Sequence, residues 1–161
     1  MTNKTELRAL TTLRSLELTR DMETKHLKKL AALAREKDFE ASQVIYEKGS
    51  LGRALYLILD GEIIIETEVP GHGRVVMNRL GPGQFFGWSS LFPLERKMAW
   101  TTATRPTRVL AFDASQLHTA FEVDHNFEYA IVRCAGKDMA DRIRASRQQL
   151  NDMIINPHLT Y

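Results

Sequence analysis

A series of short apolar runs separated by turn residues occupies the middle of this chain and restricts its fold more than any other feature. The runs read DFEASQVIYEKGS, ALYLILDGEIIIETEV, GRVVMNRLGPG and TTATRPTRVLAFD. Gly, Pro and Asp punctuate them at about the spacing expected of an all-β sandwich or barrel. The pair Asp60–Gly61 stands between two apolar runs and predicts a β-hairpin.

Helical patterns flank this β-rich region on both sides. Leucines at a spacing of three predict an amphipathic helix over residues 5–16, and residues 24–37 repeat the pattern. Residues 114–121 predict a short helix, and residues 126–154, which contain no proline, predict one long helix. The predicted organisation has three parts: an N-terminal helical arm (1–37), a β-roll (38–113) and C-terminal helices (114–161).

The long helix carries a narrow apolar stripe with no obvious partner segment in its own chain. The stripe consists of Met139, Ile143, Leu150 and Met153. It can fold back on the β-roll or pair with the same helix of a second copy, and a symmetric dimer is the commonest oligomer. The stripe therefore predicts a homodimer, with docking of another protein on the same face as the alternative.

Charge and apolar content narrow the possible partners. The 22 basic and 20 acidic residues nearly balance, which argues against a general nucleic-acid binder. No apolar run approaches the roughly 20 residues that cross a membrane, and the charged N-terminus has no apolar signal core. The single cysteine, Cys134, cannot form an internal disulfide and is typical of a helix residue in a reducing compartment. These features predict a soluble cytoplasmic protein.

The segment GPGQFFGWSSL, residues 81–91, combines two features of a binding site. Gly81, Gly83 and Gly87 permit turns with positive φ and close approach of the backbone to a ligand. The serines and the backbone N–H groups of such a turn suit an anion, whereas Trp88 suits something flat and apolar. The segment therefore predicts a small-molecule site.

The order of motifs resembles the cyclic nucleotide-binding domain family, the effector domain of catabolite-activator-type regulators. GSLGRALYLILDG (49–61) resembles the first hairpin signature of the family, and LGPGQFFG (80–87) resembles the turn that leads into its phosphate-binding cassette. AWTTA (99–103) and RVLAFD (108–113) resemble the strands that follow the cassette. The resemblance implies a mainly β, jelly-roll fold with flanking helices, a cyclic phosphate bound in a cassette within 81–103, and a last helix that dimerises and can close over the base.

The sequence departs from the family at two cassette positions. Nucleotide-binding members of the family carry a glutamate after the cassette glycine, where it accepts a hydrogen bond from the ribose; here that residue is Trp88, and an indole has no acceptor. We expect the indole to fill much of the ribose volume, so that Trp88→Glu would restore nucleotide affinity if Trp88 is the only obstacle. The arginine that binds the phosphate in the family is replaced by Lys97, unless the preceding loop shifts by one residue and presents Arg96 instead.

These comparisons define the candidate ligand-binding residues. They are Gly87, Trp88, Ser89, Ser90, Arg96, Lys97, Trp100 and Thr101. Three functions stay open: a regulatory module that senses a small anion other than a cyclic nucleotide, a ligand-free dimeric scaffold, and a genuine sensor of cyclic AMP or cyclic GMP.

Catalysis, a cofactor, a metal and direct DNA binding are not expected. None of the five histidines lies in a close pair or beside a glutamate at ligand spacing, so no metal site is predicted. Ser89 and Ser90 match no nucleophile elbow. The residues that follow the long helix are too few to form the helix-turn-helix of related transcription factors.

Overall fold

The computed structural model describes residues 3–92 and 95–157, and within them eight strands form two antiparallel four-stranded sheets. The strands are β1 (Ala34–Phe39), β2 (Val44–Tyr46), β3 (Ala54–Asp60), β4 (Ile63–Val69), β5 (Gly73–Leu80), β6 (Phe85–Phe86), β7 (Trp100–Ala103) and β8 (Thr107–Asp113). One sheet has the order β1-β8-β3-β6 and the other the order β2-β7-β4-β5. The predicted mainly β, jelly-roll fold is confirmed.

Strand β3 separates two apolar clusters because successive side chains point to opposite faces of a sheet. Leu55 and Leu57 face the helices, and Tyr56 and Ile58 face the space between the two sheets. The helix-facing cluster also takes residues from the flanking helices, including Leu13, Leu27, Leu117 and Ile131. The interior cluster consists of Phe39, Tyr46, Ala54, Tyr56, Ile58, Ile63, Leu80, Phe86, Ala103 and Val109.

The hairpin predicted at Asp60–Gly61 is wrong. Strand β3 pairs with β6 and β8, whereas β4 pairs with β5 and β7, so the turn carries the chain from one sheet to the other. Gly61 has φ 106°, and a Cβ atom there would lie 2.6 Å from Thr107 Cα. The true hairpin joins β4 to β5 through residues 70–72.

Among the described residues, four α-helices pack on the outer face of the β1-β8-β3-β6 sheet: α1 (Lys4–Ser15), α2 (Thr24–Leu33), α3 (Ala114–Val123) and α4 (His125–Ile155). The side chains of Asn3, Asp113 and Asp124 cap α1, α3 and α4 by accepting a backbone N–H. The helix predicted over residues 24–37 is too long, because strand β1 begins at Ala34 and pairs with β8 over six residues. Pairing with a sheet edge overrides the helix propensity of these charged residues.

The N-terminal arm and the start of α4 are tied together. Lys29 on α2 forms an ion pair with Asp124, and this hydrogen bond together with the capping bond from Phe127 lowers the pKa of Asp124 to about 2. The Cys134 thiol contacts the backbone oxygen of Leu18, 3.4 Å away. Beyond Ala135, no residue of α4 up to its end at Ile155 is buried. The first half of α4 is therefore part of the core, and the second half extends away from it.

No helix in residues 3–92 and 95–157 combines the length and apolar character that crossing a bilayer requires.

Candidate functional site

The cassette is a tight turn followed by one turn of 3-10 helix, Trp88–Leu91. Gly87 precedes it in a left-handed conformation with φ 89°, and a Cβ atom there would lie 2.8 Å from the Ala54 backbone oxygen and 2.9 Å from the Tyr46 hydroxyl. Gly83 also has a positive φ, whereas Gly81 does not. Only glycine fits at position 87 without displacing the backbone of β3.

Lys97 is the charged group that faces the interior of the roll. Its side chain is buried, with the residue 8% exposed, and Nζ lies 3.9 Å from the centre of the Tyr46 ring. Backbone bonds to Ser50 and Gly49, of 2.8 and 2.7 Å, fix its position. Burial lowers the pKa of Lys97 to about 8. Among the described residues no carboxylate pairs with it, so the site holds a desolvated cation without a counter-ion.

Arg96 points away from the interior. It is exposed, and its Nη1 donates to the Gly49 backbone oxygen at 2.8 Å. Of the two registers that the sequence left open, the structure therefore has Lys97 at the interior position. Pro93 and Leu94, in the loop whose shift would have changed the register, lie outside the described residues.

The Tyr46 ring beside Lys97 belongs to a cluster of aromatic side chains inside the roll. Tyr56 stacks on Phe86 with ring centres 4.9 Å apart, and the Tyr46 ring lies 5.7 Å from that of Tyr56. The Tyr46 hydroxyl donates to the Ala54 backbone oxygen, and burial raises the pKa of this hydroxyl. Thr101 is buried and shares the interior face of β7 with Ala103. A cation, a hydroxyl and flat apolar surfaces thus meet at one place.

Trp100 does not join this group. Its ring lies between two cations: the guanidinium carbon of Arg74 is 4.0 Å from the ring centre and the Lys48 ammonium is 5.5 Å from it. Trp100 is adjacent in β7 to the inward-facing Thr101, so its side chain points to the outer face of the sheet. The structure separates Trp100 from the other candidate residues.

Trp88 lies in the helix-facing cluster, on the other side of the sheet from the interior. The residue is 4% exposed, its ring centre is 5.2 Å from that of Phe85, and its Nε1 donates to Asp138 Oδ2 at 2.6 Å. The indole therefore packs against the helices and does not enter the space between the two sheets. Trp88 connects the cassette to helix α4.

Asp138 and Arg142 complete this connection. The two side chains form an ion pair of 2.7 Å along α4, and Arg142 Nη2 donates to the backbone oxygen of Phe85. The Arg142 side chain is only 23% exposed, although its neighbours on this half of α4 are mostly exposed. An Asp and an Arg at i and i+4 on a helix are normally a surface pair, so no sequence signal identified this contact.

The two cassette serines have structural contacts. Ser90 is buried, and its hydroxyl donates to the Gly87 backbone oxygen at 2.6 Å. Nε2 of His118, on α3, lies 3.1 Å from the Ser90 backbone oxygen, a contact that sequence reasoning missed. Ser89 is half-buried. Ser90 and His118 hold the short helix in place beside α3.

Comparisons with known proteins identify the family and the fold. The family model described as "Cyclic nucleotide-binding domain" matches residues 36–124. A cAMP-activated global transcriptional regulator of Mycobacterium tuberculosis is 26% identical over 129 residues, which are 78% of this chain and 55% of the regulator. The chain spans about half the length of this relative and a smaller share of the length of other relatives.

Two solved structures show the same fold. A cyclic nucleotide-binding domain from Methylobacillus flagellatus has a TM-score of 0.77 and 18% identity, over 89% of this chain and 81% of that one. A c-di-GMP-responsive global regulator of Xanthomonas campestris has a TM-score of 0.68 and 14% identity, over 82% of this chain and 65% of that one. Because the family model covers more than half of the sequence, this chain belongs to the cyclic nucleotide-binding domain family.

Proposed function

We propose that this chain is a ligand-sensing regulatory module whose β-roll binds a small anion through Lys97. The observation that carries the proposal is the buried ammonium of Lys97, which has an aromatic ring but no carboxylate of the described residues as its neighbour. Burying a cation costs free energy unless an anion pairs with it. An anionic ligand would offset this cost, and Gly87 allows it to approach the backbone of the cassette.

The ligand that we propose has a flat apolar body and is not selected by a ribose hydroxyl. Trp88 offers no acceptor, and its one donor is already bonded to Asp138. The Tyr46 ring, 3.9 Å from the Lys97 ammonium, is the aromatic surface that a planar group beside the anion would contact. Cyclic AMP and cyclic GMP satisfy the anion and the planar base, and we expect them to bind more weakly than to family members that have the glutamate.

Replacing Lys97 by methionine tests the anion site. We expect the affinity for phenyl phosphate and cyclic AMP, measured by isothermal titration, to fall at least about tenfold, because a hydrogen bond to a charged group contributes roughly 1.5–3 kcal/mol. The affinity of the unmodified protein for cyclic AMP should be constant well below pH 8. It should fall as the pH rises through about 8, where Lys97 loses its charge.

The matched control is Arg96→Gln, which removes a neighbouring cation that points outward. We expect this variant to bind as the unmodified protein does, and Lys97→Met to bind with no pH dependence near 8. Equal losses in the two variants would contradict the assignment of Lys97. If neither phosphate binds at millimolar concentration, the alternative of a ligand-free scaffold replaces the proposal.

We also propose that the module is a homodimer joined through α4. Met139, Ile143, Leu150 and Met153 are between 37% and 57% exposed, and they lie on the half of the helix that extends beyond the core. Their spacings of four, seven and three residues match the seam of a two-stranded coiled coil. A second α4 is the simplest surface that buries this stripe along its length.

The variant Ile143→Asp tests the dimer. We expect its dissociation constant, measured by sedimentation equilibrium, to rise about 100-fold, because each chain loses a buried side chain worth roughly 1.5–3 kcal/mol and gains a charge in the seam. Ala145→Asp places the same carboxylate on an exposed position off the stripe and should leave the dimer intact. A monomeric unmodified protein would contradict the proposal and favour docking of another protein on α4.

A further inference from the structure

A cavity of about 420 Å³ lies between the α1–α2 connection and the first half of α4, apart from the cassette. Leu18 and Met22 line it from the connection, His26 from α2, and Ala130 and Cys134 from α4. Its volume is within the range of roughly 300–1,000 Å³ that is typical of small-molecule sites. None of the cassette residues contributes to its wall.

Two cations without counter-ions stand at this cavity. Arg133 and Lys137 are four residues apart on α4, both line the cavity, and no carboxylate of the described residues forms an ion pair with either. Like charges at this spacing repel each other. Burial raises the pKa of the Cys134 thiol, and the positive charges of Lys137 and Arg133 act to lower it. Both cations are therefore close enough to Cys134, on the cavity wall, to influence its ionisation.

The opposite wall carries the acidic residues Asp21 and Glu23. The Glu23 carboxylate already pairs with Lys25 at 3.0 Å, so it is not free to balance the cations across the cavity. The two cations on α4 therefore outnumber the one remaining carboxylate, Asp21. The charge of the cavity favours a ligand with a net negative charge.

A second observation at the same wall comes from His26. The residue is 4% exposed, and its Nε2 is buried without a hydrogen-bond partner among the described residues. Buried polar atoms in folded proteins are nearly always paired, so the side of the cavity formed by α2 contains a polar atom whose hydrogen-bonding capacity the described residues do not satisfy. The centre of the His26 ring also lies 5.9 Å from that of Phe127.

We propose that this cavity is a second binding site, which takes a small organic anion with an apolar, aromatic or branched body. The acid group lies between Arg133 and Lys137, and the body lies against Leu18, Met22 and Ala130. Such a ligand bridges the N-terminal arm and α4, beside the existing contact between Cys134 and Leu18. It is independent of the anion that we propose for Lys97.

The probe for this site is 8-anilinonaphthalene-1-sulfonate, an aromatic anion that fluoresces when it leaves water. It is excited directly and titrated into the full chain. Two variants alter the cavity: Ala130→Trp fills it and keeps its charges, and the double variant Arg133→Gln/Lys137→Gln keeps its volume and removes the cations. We expect each to weaken saturable probe binding at least tenfold. Arg147→Gln, which removes one cation from the exposed half of α4, should bind as the unmodified protein does.

Three results would overturn the proposal. The first is unchanged probe binding in both cavity variants. The second is loss of the probe in Ile143→Asp, which would place it on the apolar stripe, and the third is loss in Lys97→Met, which would place it in the roll. If Ala130→Trp does not fold, protection of the single thiol replaces it. Saturating probe should then slow alkylation of Cys134 at least fivefold in the unmodified protein, and an unchanged rate contradicts the site.

Discussion

Replacing Trp88 by alanine is expected to lower the free energy of unfolding by about 3–5 kcal/mol, the usual cost of removing a buried tryptophan. The indole is 4% exposed, packs on Phe85 and donates to Asp138. Its loss leaves a cavity under the cassette and removes one of the hydrogen bonds of a half-buried carboxylate. Urea unfolding followed by circular dichroism, at one protein concentration, measures the change.

The chain supplies its own control, because its other tryptophan lies on the outer face of the roll. Trp100→Ala removes contacts with Arg74 and Lys48, and we expect a loss of about 1 kcal/mol. Trp88→Phe keeps most of the packing and removes the Nε1 donor, so its cost should fall between the two. Equal losses in Trp88→Ala and Trp100→Ala would contradict the buried position of Trp88.

The position of Trp88 also changes the expected result of the substitution Trp88→Glu. From the sequence, this change was expected to restore nucleotide affinity. In the structure, a glutamate at position 88 would place a carboxylate in the helix-facing cluster, close to Asp138, without the indole that fills this space. We therefore expect destabilisation instead of a gain in affinity, since an unpaired buried charge is costly.

Replacing Gly61 by alanine is the second change with a large expected effect, a loss of about 2–5 kcal/mol in the free energy of unfolding. The added Cβ would lie 2.3 Å from Thr107 Oγ1 and 2.7 Å from the Pro106 backbone oxygen, and φ at this position is 106°. The left-handed conformation alone costs about 1–2 kcal/mol, and overpacking against backbone adds about 1–3 kcal/mol. Thermal and urea unfolding of the purified variant measure the sum.

Gly71→Ala is the matched control for this clash. Gly71 also has a positive φ, of 79°, but a Cβ atom added there would meet no atom within 4 Å. We expect this variant to lose only the conformational cost of about 1–2 kcal/mol. If the two variants were equally stable, the close approach of Thr107 to the turn at Gly61 would be wrong.

The sequence predicted the elements of this fold better than their pairing. Alternation and turn residues placed the strands, and leucine spacing placed the helices, because both depend on residues close in the chain. The turn at Asp60–Gly61 was predicted as a hairpin, but an Asp-Gly pair can equally form a corner at which the chain passes from one sheet to the other. Only the distant partners of β3 and β4 distinguish the two. The end of α2 depends likewise on β8, more than 70 residues away.

For the candidate site too, the sequence indicated residues better than it indicated their contacts. Gly87 and Lys97 were identified by position in the cassette, and the structure brings them together at Tyr46. Trp88 was identified as a departure from the family, but its partner Asp138 is 50 residues further along the chain. An Asp on an apparently charged helix face gave no indication of that bond. The alternation within β7 would have indicated that Trp100 and Thr101 face opposite ways.

The bond between Trp88 and Asp138 makes Asp138 the point about which the end of α4 would tilt. Asp138 is the point where the short helix of the cassette holds α4, and no residue between it and Ile155 is buried. These 17 residues span about 25 Å at about 1.5 Å per residue. A tilt of about 10° at Asp138 would therefore move Ile155 sideways by about 4 Å. In the homodimer that we propose, a sideways shift of this size at the helix end would open or close the seam between the two copies of α4.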